Sequence, residues 1–379
     1  MAKMRNLDWF LYSYILGLLL VGLVFCYSAS SVMAVLRGAS EWHFISRQLV
    51  ATVIGVVGMI ALARMDFRKW NSPTLAFMSM GFVTAMVFIA GILDTKAHRW
   101  IKTPVIYLQP SELAKPALVL FCAYFIAKRL NAINDRHTVL PASIVIGILG
   151  GAVCWGDLGT GVVLMLTAAL LFFVAGLRWR YIALALVISL VGVAFSIAAK
   201  PYRVLRVVSY VDPQLEYIQK FAPNFAANYE RNLRENRRDP QYQVTQSVVA
   251  VGSGGVFGQG LMEGKQKFLF LPEAHTDFIY AVIAEETGLI GSLALVALYL
   301  LIAWRGVRIF FRSADQFGKY LALGITMLLT FQALMNISVV LAIGPTKGIP
   351  LPLISYGGSA MIGALLCFGM LLSVSEESH

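Results

Sequence analysis

Apolar residues run almost without interruption over 9–27, 48–65, 73–93, 110–128, 139–155, 158–175, 181–199, 275–303, 319–342 and 354–373. These runs show neither the alternation of a half-buried strand nor the single stripe of a surface helix, and read as helices apolar all round. Roughly 20 such residues carry a helix across a bilayer. The pattern predicts an all-α polytopic membrane protein with about ten transmembrane helices, a single domain over residues 1–379. No small-residue cleavage pattern follows the first run, so it is read as a retained helix.

Composition agrees: 58% of the chain is hydrophobic and 13% charged, where a soluble domain carries about a quarter charged residues. Cys26, Cys122, Cys154 and Cys367 lie in or beside apolar runs without a CxxC spacing, which argues against metal ligation and a disulfide framework. The net charge of +11 fits membrane anchoring and anionic lipid or substrate better than nucleic acid.

Short connections set the sidedness. With the N-terminus inside, fourteen Lys and Arg fall on inner segments and six on short outer ones. Both ends are therefore expected in the cytoplasm. One connection, 200–274, is far longer than loops in compact proteins and lies on the outer face, where such loops are usually functional.

Ionisable residues inside the runs are few: Glu112, Lys115, Asp157, Asp277, Glu285 and Glu286. Such residues face a bundle interior or an aqueous cavity. Glu112 and Lys115, Asp157, Asp277 and the stretch PLPLISYGGS (350–359), with Ser355, all come at outer ends, so the chemistry is expected there. Each has a plainer reading. Glu112 and Lys115 at i,i+3 can neutralise each other. Ser111 suits a helix N-cap beside Pro110, and Asp157 can cap the helix that follows it. Thr276 and Asp277 can cap theirs, where the helix dipole favours a carboxylate. On a straight helix Glu285 and Glu286 would lie roughly 12–14 Å below Asp277. GSGGVFGQG (252–260) suggests a phosphate cradle, but Gln259 and Gln266 stand where a nucleotide loop needs Gly and Ser or Thr.

The motifs in their order go further. They are YSASS (27–31), RW (99–100), QPSELAKPALV (109–119), GDLGTG (156–161), YQVTQSVVAVGSGGVFGQGL (242–261), FLPEAHTDFIYAVIAEETGLIG (270–291) and PTKGIPLPLISYGGSAM (345–361). Over nearly its whole length the chain resembles the SEDS family of FtsW and RodA proteins (shape, elongation, division and sporulation), and is closer to the division branch. Two departures stand out. Gly156 replaces a family Pro, so that turn is expected to be looser, and Tyr217–Asp239 looks like an insertion.

The resemblance implies a peptidoglycan glycosyltransferase polymerising lipid II at the outer face of the bacterial cytoplasmic membrane, at the division septum. Asp277 matches the family's essential Asp, as general base or as organiser of Mg²⁺ or Mn²⁺. Pyrophosphate calls for cations, for which Arg99, Lys115, Arg203, Arg206, Lys265, Lys267 and Lys347 are available on or near the outer side. Arg206 matches a family Arg. Glu112, Asp157 and Ser355 complete the expected cavity, while Glu285 and Glu286 are assigned to packing or cavity polarity. A class B penicillin-binding protein, other division-complex membrane proteins, lipid II and nascent glycan are the implied partners, the insertion being a candidate contact. The alternatives are a lipid II flippase working through Glu285, Glu286 and Lys115, an elongation-type polymerase, and a non-catalytic scaffold.

Overall fold

The computed structural model describes residues 8–36, 38–94, 98–102, 107–199, 201–211, 240–268, 270–344 and 347–377. Ten long helices coincide with the ten apolar runs: α1 (Trp9–Leu36), α2 (His43–Arg64), α3 (Pro73–Leu93), α4 (Pro110–Arg129), α5 (Arg136–Gly156), α6 (Leu158–Val174), α7 (Trp179–Ala198), α10 (Ile279–Arg312), α11 (Gln316–Val340) and α12 (Gly358–Glu377). Eight of these are long and apolar enough to cross a membrane; α6 is shorter, and α4 carries Glu112, Lys115, Lys128 and Arg129. The long connection contains α8 (Pro201–Val211) and α9 (Pro240–Ser253), while the insertion at 217–239 lies outside the described residues. A small antiparallel hairpin, β1 (Ile101–Lys102) with β2 (Tyr107–Leu108), joins α3 to α4.

Several helices begin at polar caps. Ser72, Asp135, Asp157 and Asp315 accept bonds from the first-turn N–H groups of α3, α5, α6 and α11, satisfying donors that lack an intrahelical partner. Ser111 does not do this for α4, whose N-cap is Gln109 without a side-chain bond.

The buried core runs along α4, which packs against α3, α6, α11 and α12. α12 also lies closely along α2, where Gly55 meets Leu365 and Gly369 meets the Met59 backbone. Small residues at such crossings let helices approach where lipid supplies no hydrophobic drive. α7 is the loosest helix, burying Ile182 alone among its side chains. The two chain ends share a face: Asp8 accepts from Arg305 Nε at 2.8 Å and Ser375 Oγ at 2.5 Å, and Tyr12 donates to Glu376 at 3.1 Å.

The eighth run departs from expectation. α10 starts at Ile279 with Phe278 as N-cap and no side-chain cap, so neither Thr276 nor Asp277 caps it. It then breaks at Gly288 (φ 66°, ψ −163°). On a straight helix Ile279 and Tyr299 would stand roughly 30 Å apart. Instead one loop reaches both ends: Ser355 bonds the Thr276 carbonyl, and Tyr299 donates to the Pro352 carbonyl at 2.6 Å. Distance along α10 from Asp277 therefore does not measure depth, and the straight-helix placement of Glu285 and Glu286 is corrected.

A break in a membrane helix frees backbone groups that must find partners. GSGGVFGQG supplies them. Gln259 N and Gly260 N donate to the carbonyls of Glu285 and Glu286, both at 3.0 Å, and Gly255 O and Val256 O accept from Leu289 N and Ile290 N. Gly258 combines a left-handed φ of 82° with a position where a Cβ would overlap the Glu286 carbonyl. Gly255, at φ 53°, has open space around it. Gly255→Ala is expected to cost about 1 kcal/mol from the left-handed backbone alone. Gly258→Ala should cost clearly more, read as a larger drop in melting temperature in detergent. Equal drops would mean that the splice is not tightly packed.

Candidate active site

At the face opposite the chain ends, helices and loops from seven parts of the sequence line a cavity of about 780 Å³. Its charged lining is Arg47, Arg99, Arg206 and Lys347 against Asp157, Glu273 and Asp277.

Each charged group is held by its own segment. Asp94, the C-cap of α3, accepts from Trp100 N at 3.3 Å and Arg99 N at 3.5 Å, turning the chain so that Arg99 borders the cavity. Asp157 accepts from Thr160 N (3.3 Å), Thr160 Oγ1 (2.9 Å) and Gln109 Nε2 (3.1 Å), and lies 3.6 Å from Lys347 Nζ. Burial alone would raise its carboxyl, but Lys347, Arg99 and the Thr160 bonds prevail and hold it below its ordinary value. It is both a helix cap and a cavity residue. Gly156, just before it, packs closely on the chain leading to Arg99: a Cβ there would overlap the His98 carbonyl.

Arg206 comes from α8, which is pinned on both sides of it. Arg203 donates to the Cys154, Trp155 and Ser196 carbonyls at 2.9–3.1 Å, and Tyr210 donates to the Ile343 carbonyl at 2.6 Å. Arg203 thus caps the end of α5 instead of lining the cavity. Asp277 is half-buried on the non-helical turn before α10. Burial pushes its carboxyl up to about 6; Glu273 and Asp157 add to this, and Arg99 and Arg206 oppose it. A carboxylate of that kind suits proton abstraction near neutral pH.

Other expected residues lie elsewhere. Lys115 Nζ donates to Glu112 at 2.6 Å and to Gln332 at 2.8 Å, with both charges buried. Gln332 in turn donates to the carbonyl of Pro350, a cavity-lining residue, so the pair supports the wall from behind. Lys267 is buried on Glu286 at 2.7 Å and also donates to Ser28 Oγ and Met262 O. Lys265 is exposed, and its backbone N–H donates to Glu285. Neither lysine lines the cavity. Ser355 is buried and donates to the Thr276 carbonyl rather than facing the cavity. Arg47 and Glu273 line it although the sequence reading did not single them out; their signal was only a charge at an outer helix end and in the loop before Asp277. Among the described residues no group of three or more His, Cys, Asp or Glu is placed to hold a metal ion, so the acidic residues here do not form a cation cage.

A polytopic helical bundle whose one face opens into a cavity with a carboxyl of raised pKa and four cationic side chains has the charges of a membrane-embedded site for an anionic ligand. The chain is a member of the FtsW/RodA/SpoVE family, whose model, described as "Cell cycle protein", matches residues 9–379. It is 36% identical to a probable peptidoglycan glycosyltransferase FtsW of Geobacter sp. (strain M18), covering 100% of this chain and 99% of the relative. Stage V sporulation protein E of Bacillus subtilis (strain 168) is 35% identical over the same shares. Among solved structures, a chain described under "structural coordination of polymerization and crosslinking by a peptidoglycan synthase complex" superimposes with a TM-score of 0.75 at 26% identity, covering 99% of both chains. The rod shape determining protein RodA of Thermus thermophilus shares the fold, with a TM-score of 0.67 at 24% identity over 99% of this chain and 98% of that one.

Proposed function

We propose that this protein is a peptidoglycan glycosyltransferase that polymerises lipid II at the outer face of the bacterial cytoplasmic membrane, serving septal wall synthesis in division. The observation that carries this reading is Asp277, raised to about 6, in one cavity with Arg47, Arg99, Arg206 and Lys347. Asp277 takes the proton from the C4 hydroxyl of an acceptor GlcNAc. The freed oxygen pair forms the bond to C1 of a donor MurNAc, and the bond from C1 to the pyrophosphate oxygen breaks. Its electron pair leaves with undecaprenyl pyrophosphate. Arg99 and Arg206 suit bidentate contact with that leaving group, whereas Lys347, shared with Asp157, acts as a point charge. Mg²⁺ or Mn²⁺ would have to take its ligands mainly from pyrophosphate and water beside Asp277, and no step above depends on it.

The partner in this proposal is a class B penicillin-binding protein, with further division proteins around it. The likeness to a chain solved within a peptidoglycan synthase complex supports that pairing. The flippase reading needs Glu285, Glu286 and Lys115 to be available along a path. All three are engaged, by Lys265 N and Gln266 N, by Lys267, and by Glu112 with Gln332, which favours the enzyme.

The test is a gel assay of polymer from fluorescent lipid II, using the purified chain with its penicillin-binding protein across pH. An unperturbed Asp would keep the rate flat down to about pH 4. With Asp277 near 6, the ionised base is lost below that pH, and the rate should fall about tenfold per unit. A flat profile from pH 7 to 5 would remove Asp277 as the base. No polymer at any pH would remove the enzyme reading.

A further inference from the structure

A general base must be held within a fraction of an ångström of its working position, yet Asp277 sits on a turn outside any helix. Three successive carbonyls of that turn are gripped from one side. His275 O accepts from Tyr356 N at 2.9 Å, Thr276 O from Ser355 Oγ at 2.5 Å, and Asp277 O from Asn336 Nδ2 at 2.8 Å. The Asn336 amide, buried in α11, donates its second hydrogen to Ile349 O at 2.7 Å, bridging the turn to the 347–356 loop. Only the amide nitrogen can face two carbonyl oxygens, which fixes its orientation. The Asp277 carboxylate rests over Gly348, where a Cβ would overlap its Oδ2 and its carboxyl carbon and crowd Oδ1. The residue before, Lys347, pairs with Asp157. One dipeptide therefore meets two of the three cavity carboxylates.

We propose that Asn336 and Gly348 are positioning residues for Asp277: the amide fixes the backbone of the turn, and the missing side chain leaves the space its carboxylate occupies. This rests on Asp277 being the base. A role in substrate binding would show in KM; misplacing the base shows in kcat at unchanged KM.

The experiment measures kcat and KM for lipid II with the full chain and its penicillin-binding protein. Asn336→Leu keeps the branched outline of the side chain and removes the donor. Gly348→Ala fills the space under the carboxylate. Gly344→Ala is the control, its added Cβ meeting only Ser338 Oγ at 3.4 Å. A shift of about 1 Å costs on the order of 10²-fold in rate. Asn336→Leu and Gly348→Ala are each expected to lose that much kcat, with KM within about threefold of wild type, a cooperative melt at a somewhat lower temperature because buried carbonyls lose their donor or a Cβ crowds the turn, and the partner still bound. Gly344→Ala should match wild type. Wild-type kcat in either variant, or a rise in KM at unchanged kcat, overturns the proposal. Failure of both to fold also overturns it, because the two residues would then be structural. Asp277→Asn runs beside them: if it stays active, the base assignment has failed, and if it alone is inactive, the positioning claim has.

Discussion

Asp277→Asn is expected to remove glycan polymer, a loss of about 10²–10⁴-fold as for other general bases, while the protein stays folded and partner-bound. Folding should survive because Asp277 does little for the architecture. It does not cap α10, and among the described residues it forms no ion pair. Its backbone carbonyl, which Asn336 holds, is unchanged by the substitution. The charge itself is a burden on the fold. A carboxyl raised from 3.8 to about 6 on folding costs stability as pH rises through that window, and the cost persists above it. Asn carries no such charge, so the melting temperature at pH 7 should hold or rise as activity disappears. Full polymer from Asp277→Asn would end its assignment as the base. A lower melting temperature together with lost activity would make the residue structural.

Glu286→Gln should have the largest effect on stability. Lys267 and Glu286 are both buried, and the pair ties the segment before α10 to Ser28 on α1. Removing one partner of a buried ion pair strands the other charge, at a cost of about 3–5 kcal/mol. Glu286 also accepts from Met262 N at 3.0 Å, a further reason for the loss. Lys267→Met should behave similarly. The double change Glu286→Leu with Lys267→Met removes both charges and should recover much of the stability, because a matched apolar pair avoids the desolvation penalty. Activity is expected to return with the fold, since neither side chain lines the cavity. Thermal melts and the polymer assay on the same preparations separate the cases. A stable but inactive double variant would assign these groups to chemistry or conduction. A melting temperature for Glu286→Gln within a degree of wild type would mean that the latch is not built as described.

The same lysine shows where reading the chain runs out. Lys265, Lys267 and Lys347 are equivalent as outer-side cations in the sequence. Lys347 reaches the cavity, Lys265 points to the outside, and Lys267 is spent on Glu286. Arg203 and Arg206 divide similarly within one short helix, the first capping α5 and the second lining the cavity. The motif GSGGVFGQG is legible as glycine-rich but not as the partner of a broken helix, because the break at Gly288 depends on backbone bonds formed across the fold. Asn336 and Gly348 carry no chemistry of their own that would mark them in advance.

The sequence by itself determined the helical membrane architecture, the approximate limits of the helices and the convergence of Asp157, Asp277 and the 350–359 segment on one face. These follow from hydrophobic runs matched to a bilayer, from cap residues and from the alternation of crossings, all local or additive along the chain. Only the tertiary structure decided which charges pair, where α10 breaks and what grips the turn of Asp277. Those outcomes depend on groups far apart in the chain, such as Lys267 and Ser28 at 239 residues' separation, meeting at hydrogen-bond distance. A buried polar group is stabilised only by the partner that packing brings to it, and no local pattern encodes that choice.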